Sequence, residues 1–287
     1  MKIVFPVPEC TFLRYFVPLA AEAKKRGHEV VFRFSSSGKY NCPRLSHNYK
    51  QCKEIIEKYG FVEDDNVIGD ICFVIEGIGR NLACVRYSLT YMTDFMFLMD
   101  DYELDVDHIV MPSEYFAKKF NKVSPKNLYL GSPKYDVELN SQDIFEKYSL
   151  DKDKRYALII YPRSRDLGKF DIEKICKELQ EDNFVPIIKT RGKDPIRAIP
   201  DVRGFSDESW FPHTTMELIH ISDRIINTGS TMIKEAVMLD KGDAVVNYNI
   251  KPFTLLEELY ENGAKQKYMP HTNASKNIID HMEENYT

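Results

Sequence analysis

Short apolar runs alternate along the chain with longer stretches in which apolar residues recur every three to four positions. The run at 2–5 is β-prone and ends at Pro6 and Pro8. From 12 to 27, Phe16, Leu19, Ala20 and Ala23 share one helical face. Lys24, Lys25 and Arg26 complement the carbonyl end of that helix, and Gly27 is a natural stop. Pro18 either kinks the helix or begins its regular part. A second strand is expected at 29–32, and strand, helix, glycine, strand forms a βαβ unit with a parallel pair. The pattern continues with a helix at 49–59 turning Ile55 and Ile56 inward, and strands at 71–75, 83–87 and 108–111. A buried helix is expected at 92–99, and a helix at 114–120 capped by Ser113. A strand at 127–130 then runs into Gly131-Ser132-Pro133-Lys134-Tyr135-Asp136.

Residues 141–154 are polar and read as a linker with one short helix. A second alternating series follows. Strands are expected at 156–160, 185–188, 224–227 and 244–248. Helices are expected along Ile172, Ile175, Cys176 and Leu179, then at 216–221, 232–239, 255–260 and 275–284. Each half alternates by itself, which predicts an α/β protein of two Rossmann-like, doubly wound domains facing across a cleft. The expected division is 1–135, 136–274, and a final helix at 275–287 crossing back to the first domain.

Composition narrows the function. The 287 residues carry a net charge of −5, with no basic stripe of the kind nucleic-acid binders show. Cations gather instead in loops, as Arg163, Arg165, Lys189 and Arg191, which suits a small anionic ligand. None of the six cysteines forms a C-x-x-C pair or a zinc-spaced set, and Cys72, Cys84 and Cys176 read as small core residues. No apolar run approaches the roughly 20 residues of a membrane helix, and the first residues read as a strand and not as a signal peptide. A cytoplasmic protein is expected.

The chemistry concentrates in Arg224-Ile225-Ile226-Asn227-Thr228-Gly229-Ser230-Thr231-Met232-Ile233-Lys234-Glu235. A buried strand ends at Asn227, Gly229 permits close backbone approach, and Ser230 or Thr231 can cap the next helix. Free N–H groups at such a helix start, with the hydroxyls of Thr228, Ser230 and Thr231, bind phosphate. Glu235 lies four residues after Thr231 on the same face, where its carboxylate can accept from a ribose diol. Arg163, Arg165, Lys189 and Arg191 follow other strands of this half. Trp210 reads as core filler rather than a platform for a base, and His213 as a surface residue.

Three stretches resemble GT-B glycosyltransferases. Arg26-Gly27-His28-Glu29-Val30 resembles the end of their first βα unit. Asp107-His108-Ile109-Val110-Met111-Pro112-Ser113 with Gly131-Ser132-Pro133 resembles the end of their first domain. Ser222-Asp223-Arg224-Ile225-Ile226-Asn227-Thr228-Gly229-Ser230-Thr231 with Glu235-Ala236 resembles their donor signature. The members nearest in pattern are CDP-glycerol glycerophosphotransferases and UDP-N-acetylglucosamine 2-epimerases. The resemblance implies a UDP-, CDP- or GDP-linked sugar as co-substrate, with no bound cofactor and no metal. Gly229, Ser230 and Thr231 would take the diphosphate, Glu235 the ribose, and Arg163 would lie near the donor phosphates. A carbohydrate or lipid-linked acceptor is implied, the latter bringing peripheral membrane contact. The epimerase spelling "DSGG" is absent at 227–230, and the loop after the first strand holds no histidine base. Glu9 in that loop and Asp94 in an apolar run are the candidate bases. Asp105-Val106-Asp107 precedes a strand, the wrong place for a metal-binding D-x-D. Polyol-phosphate transfer from a CDP-glycerol-type donor, sugar-nucleotide epimerisation and a non-catalytic sugar-nucleotide-binding subunit are the alternatives.

Overall fold

The computed structural model describes residues 1–34, 49–75, 83–90, 106–162, 168, 170–190, 199–228, 230, 232–248 and 263–287. Its contacts divide the chain into Met1–Val137 with Lys265–Thr287, and Glu138–Ala264.

The first unit holds β1 (Lys2–Pro6), α1 (Leu13–Lys25), β2 (Glu29–Arg33), α2 (Tyr49–Lys58), β3 (Val62–Glu63), β4 (Ile71–Ile75), β5 (Val85–Leu89), β6 (His108–Met111), α3 (Glu114–Lys119) and β7 (Asn127–Tyr129). Its seven strands lie in the order β3-β2-β1-β4-β5-β6-β7, every pair parallel. Strands of such a sheet are covered on both faces, so they read as unbroken apolar runs. All five residues of β4 are buried accordingly. Phe5 stacks between Phe32 of β2 and Phe73 of β4, fixing the centre of the sheet. Pro18 sits inside a continuous α1, and Ser113 caps α3 by accepting from the Phe116 N–H at 3.0 Å.

The second unit holds α4 (Ser141–Lys147), β8 (Tyr156–Ile160), α5 (Ile172–Glu181), β9 (Val185–Lys189), β10 (Arg203–Phe205), α6 (Thr214–Ile221), β11 (Arg224–Asn227), α7 (Ile233–Met238) and β12 (Val245–Asn247). The order is β10-β9-β8-β11-β12, again all parallel. Ile172, Ile175, Cys176 and Leu179 form the inner stripe of α5 and pack with Ala157 and Ile159 of β8 and Ile188 of β9.

The chain returns to the first unit through α8 (Ala264–Tyr268) and α9 (Ala274–Tyr286). The start of α9 lacks a side-chain cap of its own. Asp136, far back in the sequence, supplies one by accepting from the Ala274 and Ser275 N–H groups. Gly131 permits this approach: its φ is +96°, and a Cβ there would meet the Ala274 Cβ at 2.9 Å. At the far end of α9, Arg26 after α1 bonds Asp280 at 2.7 Å and Glu283 at 2.8 Å.

One expectation about the cysteines changes. Cys84 is exposed, not core, and stands at φ +61° in the turn before β5. Cys10, just after β1, and Cys52 on α2 are linked by a disulfide across 42 positions, a pairing that no short spacing motif announces. The expected helices at 92–99 and 255–260 lie outside the described residues.

Candidate functional site

In open parallel sheets, ligands sit beyond the carboxyl ends of the strands, where the strand order reverses. In the second unit that point lies between β8, whose other neighbour is β9, and β11. Thr228 follows β11 there, and its hydroxyl donates to the Ile160 carbonyl at the end of β8. Asn227 shapes the turn from below. Its Oδ1 accepts from the Ser230 N–H at 3.0 Å, and its Nδ2 donates to Asn247 Oδ1 at 2.9 Å on β12. Ser230 Oγ accepts from the Met232 N–H at 3.3 Å. The turn is therefore closed on itself, with Ser230 half-buried at its rim. The helix behind it, α7, has only six residues, so local hydrogen bonds define this turn more than a helix dipole does. Glu235 lies in the first turn of α7 and is 4% exposed.

Lys189 ends β9 on the other side of β8, and its carbonyl accepts from the Tyr161 N–H at 3.0 Å. Strand spacing of about 4.8 Å puts Lys189 and Thr228 roughly 10 Å apart across the end of β8. The side chain is 2% exposed. Its ammonium donates to the Thr190 carbonyl and, at 2.7 Å, to Asp207 Oδ1. The same oxygen lies 3.3 Å from His213 Nε2. Burial opposes ionisation of Asp207, but the His213 hydrogen bond and the Lys189 charge outweigh it and hold the carboxyl well below its usual range. His213 is buried, contrary to the surface position expected, because it heads α6 and packs against the Trp210 ring at 5.5 Å. Trp210 is itself buried. Sequence reading missed the Lys189–Asp207–His213 cluster, since its members come from three elements and no spacing rule joins them.

In the first unit, the strand order reverses between β1 and β4. Glu9 lies in the loop beyond β1, exposed, its Oε2 accepting from the Thr11 hydroxyl at 3.1 Å. Asp107 is engaged by Arg86 and Tyr286, each at 2.9 Å. Asp94, Arg163, Arg165, Arg191, Gly229 and Thr231 lie outside the described residues. Among the described residues, no group of three or more His, Cys, Asp or Glu is placed to hold a metal ion, and no helix is long and apolar enough to cross a membrane. The Cys72 thiol is pushed up to about 12 by burial, and that of Cys176 to about 11, so neither offers a thiolate nucleophile.

No protein-family model and no curated protein matches the chain. Solved structures do. The wall teichoic acid polymerase TagF superposes with a TM-score of 0.60 at 14% identity, covering 99% of this chain and 88% of that one. A Listeria monocytogenes protein assigned as a UDP-N-acetylglucosamine 2-epimerase gives 0.58 at 11% identity, covering 99% and 97%. HepE of Anabaena, solved with UDP-glucose, gives 0.54 at 11% identity, covering 99% and 100%. At these identities the likeness shows the fold, two Rossmann-like α/β domains of the GT-B type.

Proposed function

We propose that this GT-B chain is a glycosyltransferase that moves a sugar from a nucleotide-activated donor to an acceptor hydroxyl. The observation that carries the reading is the carboxyl edge of the second sheet. There the Thr228–Ser230 turn and Lys189 flank the end of β8 at the point of strand-order reversal. HepE, which shares the fold, was solved with UDP-glucose.

The donor diphosphate lies along Thr228, Gly229, Ser230 and Thr231, with Lys189, Arg163 and Arg165 supplying positive charge. Glu235 accepts from the ribose diol. In the transfer the acceptor oxygen attacks the anomeric carbon, the bond from that carbon to the diphosphate breaks, and the nucleoside diphosphate leaves. Lys189, Arg163 and Arg165, with the Ser230 and Thr231 hydroxyls, stabilise the charge that develops on it. If configuration inverts, the acceptor proton passes to a base. Glu9, beyond β1, or Asp94 fills that role.

TagF, a wall teichoic acid polymerase, has the same fold. This supports polyol-phosphate transfer from a CDP-linked donor as the second reading.

Calorimetry with UDP, CDP and GDP tests the donor site, and binding of at least one is expected. Glu235→Ala should weaken it about tenfold, the equivalent of about 1.4 kcal/mol, and should no longer distinguish ribose from dideoxyribose. Absence of binding by all three would overturn the reading. Preference for CDP, with glycerol phosphate transferred from CDP-glycerol, selects the second.

A further inference from the structure

We propose that Asp207 is a positioning residue whose carboxylate keeps the Lys189 ammonium charged and fixed at the carboxyl edge of β9, ready for a phosphate of the donor. The proposal rests on the donor-site reading above and deepens it.

An amine as buried as Lys189 favours its neutral form unless a counter-ion is held against it. Asp207 is that counter-ion, 2.7 Å away. Its own place is braced from several directions. The hydroxyl of Thr214 accepts from the Glu208 and Ser209 N–H groups at 3.0 and 2.9 Å. Trp210 and His213 pair as an antiparallel bridge, closing the loop that follows β10. The Thr190 N–H donates to the Phe205 carbonyl at 2.9 Å, which ties the end of β9 to the end of β10, two residues before Asp207. His213 shares Oδ1 with Lys189 and steers the carboxylate from the start of α6. Among the described residues, Asp207 from the loop after β10 faces Lys189, with His213 behind it. The neighbouring strand ends present Ile160 and Tyr161 on β8 and Phe205 on β10.

A purely structural ion pair and a positioning pair differ in one readout. Asp207→Asn keeps the shape and removes the charge. Lys189 then loses its proton at a lower pH, so donor affinity should fall as pH rises. Calorimetry with UDP, CDP and GDP from pH 6.5 to 9 reads this directly. Wild type should bind with a flat profile. Asp207→Asn should approach wild type at pH 6.5 and be about tenfold weaker at pH 9, the consequence of a proton lost with a buried amine. Asp207→Glu should restore the flat profile, and Lys189→Met should bind weakly at every pH. A flat Asp207→Asn profile, at wild-type affinity or uniformly weaker, overturns the proposal while leaving the donor site standing. Wild type binding none of the three diphosphates overturns the donor site and the proposal with it. If Asp207→Asn does not fold, Asp207→Ser takes its place in the same pH series, and the same two outcomes support or overturn the proposal.

Discussion

Glu217 on α6 shows what one buried charge costs and how it is compensated. It is 4% exposed. Both its oxygens accept from Lys147 Nζ, at 2.8 and 2.7 Å, and one also accepts from the Tyr148 hydroxyl. Burial, and then the Glu217 charge, raise the Tyr148 hydroxyl far above the usual phenol range, so it remains a donor at any working pH. The carboxylate therefore locks α4 against α6 through three hydrogen bonds. Glu217→Ala strands the Tyr148 donor and leaves Lys147 to solvent, since that lysine is 37% exposed. A loss of about 2–3 kcal/mol is expected, in the range for a broken buried charged network. Tyr148→Phe removes the hydrogen bond to Glu217 and should cost about 1–2 kcal/mol. Urea denaturation measures both. A Glu217→Ala loss below about 0.5 kcal/mol would place the pair with ordinary solvent-screened surface bridges.

At the scale of elements, α9 is held by polar contacts at both ends, and this makes its docking sensitive to acid. Burial, and then the charge of His281, lower the His108 value from 6.5, and burial lowers His281 likewise. Their rings meet edge to face at 4.7 Å, and the Tyr87 hydroxyl lies 3.0 Å from His281 Nδ1. Hydrogen bonds from Lys276 and Arg26 lower Asp280, and those from His28 and Arg26 lower Glu283. These four shifts have the same sign, whereas burial raises Asp136 at the start of α9, which works the opposite way. A group with a lowered folded value stabilises the fold above its unfolded value, and that contribution disappears as pH falls through the folded value. The histidine share is lost first, below about 6.5, and the carboxylate share below about 4.5. Melting curves from pH 7.5 to 5 should show falling stability, and replacing both His108 and His281 with Asn should flatten that decline. An unchanged slope in the double variant would remove the histidines from the account. The elements themselves differ in how far the sequence discloses them. Strands β4 and β8 follow from their apolar runs alone, because both faces are covered. By contrast β3 and β10, with two and three residues, are too short to carry a period, and only their pairing in register with β2 and β9 makes them strands. The same limit governs the site. The Thr228–Ser230 turn is visible because glycine and hydroxyl residues follow a buried strand. Asp207 beneath Lys189, and Cys10 beside Cys52, are joined only by the folded chain.

The whole molecule is two α/β units, and their stability is expected to separate along the same line. Residues 138–264 form one continuous stretch with its own sheet and a core built from β8, β9 and α5. That size lies within the usual ~50–250 residues of an independent domain. The first unit is different, because its chain is interrupted. Residues 1–137 supply every strand of the seven-stranded sheet, while α9 arrives from the C-terminus to cover α1 and take the cap from Asp136. Without α9, Arg26 loses Asp280 and Glu283 together, and Tyr87 loses its contact with His281. Ile278, Ile279 and Met282 are completely buried in the intact unit. Removing them from water contributes on the order of 1.5–3 kcal/mol each, comparable in sum to the whole stability of many domains. A 138–264 fragment should therefore melt cooperatively by circular dichroism. A 1–137 fragment should not, until a 265–287 peptide is added in trans. Cooperative melting of 1–137 without the peptide would show that the sheet and its remaining helices suffice, and that α9 only adds to an already stable unit.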